Sequence, residues 1–352
     1  MTGLIVRCGL FLVTLVTITF GGCHRAEPER RNEIRLGCFP NLTHAQALIG
    51  LANGTFQRHL GPDTPIVQKI FPSGPSAMEA ILAGEVDLVY VGPGPAINGF
   101  VRSRARVFKI IAGAASGGSV LVAREGVRLE LSEDYQHKRF ASPQIGNTQD
   151  VSLRIYLKEM GYLPLEKGGT VEVLPVANPD ILSLFLRREI HAAWVPEPWG
   201  TILVRQGNGH IVIDERDLWP DRRFATTVLV AANAFLARSP EQAAKLLAGH
   251  VEVTSWVQEH PAEASRLLNQ EISRIMRKEM NGAILDEALQ RVEVTWDPIA
   301  SSIHTYFRRA RELKYVKKGT IQGLVDVSLL NQVLAEKGLP LVVTEAETAN
   351  EN

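Results

Sequence analysis

Apolar and polar positions along the chain alternate between two periods, and the switches between them mark the elements. Apolar runs at residues 33–38, 66–71, 86–91, 119–123, 139–142, 190–195 and 226–231 have strand length. After the first, the chain breaks at Phe39-Pro40-Asn41. Ala45, Leu48, Ile49, Ala52 and Phe56 then recur on one helical face, with Asn41 or Thr43 able to cap it. Ser73-Gly-Pro-Ser76 opens a helix carrying Ala77, Ile81 and Leu82, which Gly84 ends. Residues 86–91 are apolar apart from Asp87, as in a strand covered on both faces, and Gly92-Pro-Gly-Pro95 starts another helix. The same order returns where residues 139–142 lead into Gly146, Asn147 and Thr148, and where residues 190–195 lead into Pro196-Glu-Pro198. Strands alternating with helices predict an α/β fold with largely parallel sheets. The C-terminal third is different: helices start at Ser239-Pro240 and His260-Pro261, and two more are expected near 297–312 and 324–337. They read as a helical buttress on the first lobe, not as a separate catalytic domain.

The first 22 residues stand outside this pattern. Arg7 is their only charge, an apolar run follows to Phe20, and Gly21-Gly22 precede Cys23. That is a secretory signal in outline, and a Cys directly after small residues is what lipoprotein processing requires. Phe20 stands where such sites usually carry Leu. An uncleaved anchor and a plain secreted form remain alternatives, and all three put the folded part outside the cytoplasm. Residues 23–32 are a polar tether and residues 346–352 a disordered tail. With Cys8 removed and Cys23 lipidated, Cys38 is the one remaining thiol, so no internal disulfide forms. Cys38 itself reads as a buried small hydrophobe.

Composition excludes several function classes. The 352 residues carry 38 Lys+Arg against 38 Asp+Glu, which is no basis for nucleic-acid binding. At about 150 residues per domain the length suggests two lobes. There is no P-loop, no H-E-x-x-H, no C-x-x-C and no G-x-S-x-G. Gly92-Pro-Gly94 fails the dinucleotide fingerprint because Ile97 stands at its third glycine. No metal site and no cofactor are expected, and the chain does not read as an enzyme.

What remains is a grouping of small, amide and hydroxyl residues at strand-to-helix turns: Asn41, Thr43 and His44; Ser73, Gly74 and Ser76; Gly92 and Gly94; Gly146, Asn147 and Thr148. Turns at strand carboxyl ends converge on the ligand crevice of an open α/β sheet. Helix N-termini there attract an anion without Lys or Arg, although each turn could equally be carrying only its own cap.

The segments Arg35-Leu-Gly-Cys-Phe-Pro-Asn-Leu-Thr-His-Ala-Gln46, Ala83-Gly-Glu-Val-Asp87, Gly92-Pro-Gly-Pro95, Pro143-Gln-Ile-Gly-Asn-Thr-Gln-Asp150 and Ala193-Trp-Val-Pro-Glu-Pro-Trp199 resemble the nitrate/sulfonate/taurine class of ABC-transporter solute-binding proteins. The resemblance covers about residues 33–240. It implies the two-lobed type II periplasmic-binding-protein fold, with parallel-rich sheets, flanking helices and two crossover strands, placed here at 119–123 and 226–231. Lobe 1 would then be 33–123 with 226–345, and lobe 2 would be 124–225. Carried over residue by residue, it implies ligand contacts from Asn41, Thr43, His44, Ser76, Gly92 and Gly94 in one lobe and Gln144, Asn147, Thr148 and Glu197 in the other. Ser116, Gly117 and Ser119 lie at the mouth of the first crossover and are added to these. The implied function is that of the extracytoplasmic solute-binding component of an ABC importer, closing around a small oxyanion such as an aliphatic sulfonate, taurine or nitrate. The implied partners are that small anionic or zwitterionic solute, an inner-membrane permease with its ATPase, and the membrane through the lipid. The chain would be a monomer. A sensor or scaffold lipoprotein using the same cleft is the alternative, as is a relative of thiamine-pyrimidine-precursor proteins. At this stage Glu197 either pairs with a ligand ammonium or caps the hinge, His44 either touches the ligand or packs, and Trp194 and Trp199 either wall the cleft or belong to the core.

Overall fold

The computed structural model describes residues 33–104 and 107–344. The expected signal, Cys23, the tether and the tail lie outside them. In chain order the strands are β1 (Ile34–Cys38), β2 (Ile66–Ile70), β3 (Leu88–Val91), β4 (Phe108–Gly117), β5 (Ser119–Ala123), β6 (Arg139–Pro143), β7 (Glu172–Val176), β8 (Ala192–Pro196), β9 (His210–Asp214), β10 (Ala225–Ala232) and β11 (Val292–Val294). They form a six-stranded sheet of order β11-β4-β10-β3-β1-β2 and a five-stranded sheet of order β7-β6-β8-β5-β9.

The sheets are mixed, where the sequence pattern predicts largely parallel pairing. β1 lies parallel to β2 and β3, and β6 lies parallel to β7 and β8. β10 runs antiparallel between β3 and β4, and β5 runs antiparallel between β8 and β9. A helical crossover returns the chain in the same direction, whereas a strand arriving from the other sheet carries no such constraint.

Ser119–Ala123, expected as a crossover strand of the first lobe, is the interior strand β5 of the second sheet. The passage between sheets is Gly117-Gly118, with φ of 72° and 66°. Side chains rarely tolerate that region, so this pair lets the chain leave one sheet and enter the other at once. The return passage is residues 215–224, after which β10 inserts into the middle of the first sheet.

The helices Gly74–Leu82, Pro93–Arg102, Thr148–Glu159, Asn178–Leu186 and Trp199–Gly207 each follow a strand, so their N-termini stand at strand carboxyl ends. Pro240–Glu259 and Pro261–Met276 pack on the first-lobe helix Ala45–Ala52. The expected buttress reaches further than the first lobe. Gly282–Leu289 packs on Trp199–Gly207, and Ala300–Glu312 touches both Pro93–Arg102 and Thr148–Glu159.

Two buried polar nodes fix this frame. Asp87 accepts from the Arg35 backbone and guanidinium at 2.9–3.0 Å and from Arg238 at 2.6 Å, tying the first sheet's strand starts to the helix Asn233–Arg238. Two of the sequence segments quoted above therefore meet as one ion pair. Glu215, 1% exposed on the return passage, accepts from Ser119, Ser152, Trp194, Trp219 and Tyr306 at 2.6–3.4 Å. Those five donors come from both lobes and from the passage itself. A carboxylate so enclosed loses its hydration and recovers it from fixed donors, which anchors the passage to both sides.

Candidate functional site

The cleft between the sheets is lined from both sides. Phe39, Asn41, Thr43, His44, Ser73 and Gly92 face Gln144, Asn147, Gln149, Ala177 and Asn178, with Thr226 and Thr227 at its back. Ser73, Gly92, Asn147 and Ala177 are the N-cap residues of four helices of nine to twelve residues. Four positive helix ends therefore meet at one space. Among the described residues, none of those lining it is Lys, Arg, Asp or Glu.

Buried polar groups supply the donors. Thr43, His44, Gln149 and Thr227 are 2%, 2%, 5% and 2% exposed. Among the described residues, no hydrogen bond is formed by the side chains of Thr43, Gln149 or Thr227, although all three line the space. The Nδ1 of His44 accepts from the Phe39 N–H at 3.4 Å, which leaves the ring proton on Nε2 as a neutral donor. Burial pushes the His44 pKa down to about 3, so no cation forms there near neutrality. Asn178 Oδ1 is buried without a partner among the described residues.

Of the expected contact residues, Asn41, Thr43, His44, Gly92, Gln144 and Asn147 line the cleft. The others do different work. Ser76 bonds Ser73 at 3.0 Å behind the wall. The Gly94 N–H donates to Thr148 Oγ1 at 3.2 Å, so this pair joins the lobes; with Pro93 and Pro95 lacking N–H groups, the helix end contributes field and no free donor there. Ser116 Oγ accepts from the Phe224 N–H, Gly117 C=O accepts from Thr226, and Ser119 donates to Glu215. All three serve the passages between sheets. Glu197 is fully buried and turned to Arg291 Nε at 2.6 Å and the Thr201 N–H at 3.0 Å. Burial pushes its carboxyl up and Arg291 opposes that shift, and the pair fastens the second lobe to the segment before β11.

Trp194 is core and bonded to Glu215, while Trp199 donates to Asn41 Oδ1 across the cleft at 3.3 Å. Cys38 is fully buried, its thiol pushed up to about 12 by desolvation. Gln149, Asn178 and Thr227 were missed by sequence reasoning. Gln149 follows the helix start at Asn147-Thr148 and Asn178 is itself the first residue of a helix signalled by Asn178-Pro179, whereas Thr227 lies inside a strand and carries no local signal.

Close approach explains the glycines. A Cβ on Gly92 would lie 2.3 Å from Thr148 Oγ1, and one on Gly94 would lie 3.0 Å from the Thr148 backbone nitrogen. Gly92→Ala should therefore wedge the lobes apart and enlarge the radius of gyration in small-angle scattering, and Thr148→Ala in the same chain should restore it. An unchanged radius in Gly92→Ala would sink this reading.

Acid should destabilise the fold through two buried rings. His250, bonded to Tyr90 at 2.8 Å, is pushed down to about 4, again by burial. Below the ordinary value of 6.5 the unfolded chain takes up protons that the folded chain refuses, so stability is full above that pH and falls toward acid. Each His should cost roughly 2 kcal/mol between about pH 7 and pH 5. Urea unfolding at the two pH values measures it, and His44→Gln should show roughly 2 kcal/mol less loss than the native chain; an identical loss would refute the assignment.

Comparison with known proteins follows this geometry. The periplasmic nitrate-binding protein of Synechocystis PCC 6803 superposes with a TM-score of 0.74 over 88% of this chain and 90% of its own, at 15% identity, which shows a shared fold. A Brucella abortus protein described only as a binding protein is 27% identical over 202 residues, 57% of this chain and 59% of its own. The taurine-binding periplasmic protein of Escherichia coli is 26% identical over 196 residues, 55% of this chain and 58% of its own. The chain thus spans less than two thirds of the length of these last two relatives. The NMT1-like family model matches residues 27–272, more than half of the sequence, and the chain belongs to that family.

Proposed function

We propose that the chain is the extracytoplasmic solute-binding component of an ABC importer, closing two lobes around a small oxyanion such as an alkanesulfonate or nitrate. One observation carries the reading: four helix N-caps from two lobes line one uncharged cleft. An anion there meets several positive helix ends and neutral donors, and needs no counter-ion. Donors from both lobes on one solute favour the closed arrangement, the shape a permease can distinguish from the open one. Relatives named for taurine and nitrate support the class. Relatives described as binding proteins support binding as the role of the site.

Calorimetry and thermal melting with nitrate, ethanesulfonate, bicarbonate and methylphosphonate test the proposal. At least one should bind with a micromolar or tighter Kd and raise Tm by about 5 °C at about 100-fold excess over Kd. No binding by any of the panel would remove the reading.

The support for lipid anchoring is Cys23 after Gly21-Gly22 and the apolar run. Processing there should leave a diacylglyceryl-modified Cys23 at the N-terminus, seen by mass spectrometry and lost in Cys23→Ser. An unmodified Cys23 in the native chain would refute it.

A further inference from the structure

Resting on the binding reading above, we infer that the solute is an anion whose remainder is uncharged, and that the site rejects zwitterions carrying an ammonium group. The cleft wall has neutral donors and converging positive helix ends, and among the described residues it has no carboxylate. An ammonium entering it would lose its water, meet a repelling field and find no counter-charge.

Asp180, in the first turn of Asn178–Leu186, is exposed and does not line the cleft, and three buried acids on neighbouring elements are committed elsewhere. Glu197 is held by Arg291, and drawing it toward a solute would leave the guanidinium, 13% exposed, without its partner. Asp150, in the first turn of Thr148–Glu159, is fully buried and accepts from Ser142, Arg154, Tyr315 and the Gly146 N–H at 2.8–3.0 Å. Glu215 is enclosed by its five donors. Of the neutral acceptors, Asn41 Oδ1 takes the Trp199 N–H and Asn147 Oδ1 takes the Thr148 N–H, while Thr43, Gln144, Gln149 and Thr227 still offer side-chain oxygens. Among the described residues, Asn178 Oδ1 is also buried and unpartnered on the wall. Such neutral oxygens suit a hydroxyl or amide N–H on the solute, but they bring no counter-charge to a cation set among positive helix ends.

Matched pairs isolate the charge. Ethanesulfonate and 2-aminoethanesulfonate (taurine), or propanesulfonate and its 3-amino analogue, share an anionic head and differ by one ammonium. Titration calorimetry on the processed full chain should find the plain sulfonate at least about 10-fold tighter than its amino partner. Asn178→Asp, nearly isosteric and placed at a helix N-terminus that favours an acid, should shift that ratio by at least about 10-fold toward the amino compound. Equal or tighter binding of the amino compounds by the native chain overturns the inference while leaving anion binding intact. A ratio unmoved in Asn178→Asp also overturns it, because charge at the wall would then not set the preference. If neither these sulfonates nor any anion of the earlier panel binds, the parent reading fails and this one with it.

Discussion

The structure depends on polar groups that can be buried between two lobes only in company. Thr43, Gln149 and Thr227 each sit at 5% exposure or less on the cleft wall, facing four helix ends. An uncompensated buried polar group costs about 1–3 kcal/mol, so several together are not neutral scenery. In an open cleft water satisfies them. In a closed cleft a solute of matching chemistry must do so. On the proposed reading, closure and binding are therefore one equilibrium, and solute chemistry decides its position.

That equilibrium requires the connection between lobes to bend at few places. Gly117-Gly118 provides one abrupt passage. The other is pinned by Glu215, whose donors come from β5, the helix Thr148–Glu159, β8, the passage itself and the helix Ala300–Glu312. The Glu197–Arg291 pair sits beside the first passage, because the Gly118 carbonyl accepts from the Glu197 N–H and the Arg291 carbonyl accepts from the Gly118 N–H. A buried pair is costly to break by halves, so the passages hold their shape while the faces separate. The residue that most resembled a ligand partner in sequence is thus spent on the frame.

Sequence carried the fold's rhythm well because that rhythm is local. Seven apolar runs and their turns at Asn41, Ser73, Gly92 and Asn147 mark strand–helix units whose N-caps do line the cleft. Four strands gave weaker signals. β4, Phe108–Gly117, turns from Ile110-Ile111 into a run of Ala, Gly and Ser without β-branched residues; β7 and β9 are edge strands, and β11 has three residues. Side-chain direction was not legible. Glu197 and Pro196 are neighbours in sequence, yet Pro196 lines the cleft while the Glu197 carboxylate points to Arg291, nearly a hundred residues away. Thr227 reaches the cleft because β10 returns to the centre of the first sheet, a long-range pairing that no short window contains.

An uncharged wall also bears on release. A lysine or arginine attracts an anion over a Debye length of about 8 Å, so it would keep its hold while the lobes part. The field of a helix end falls off within its first turn, and a neutral N–H must be nearly in contact to bind. A grip built from Thr43, His44 and Gln149 is consequently strong only when both faces meet. His44 shows the same economy: with Nδ1 fixed by Phe39 and its charge suppressed by burial, it supplies one directed donor and no long-range attraction. On the proposed reading, separation by a few ångströms then suffices to let the solute go, which is the behaviour a delivery protein needs and a storage protein does not.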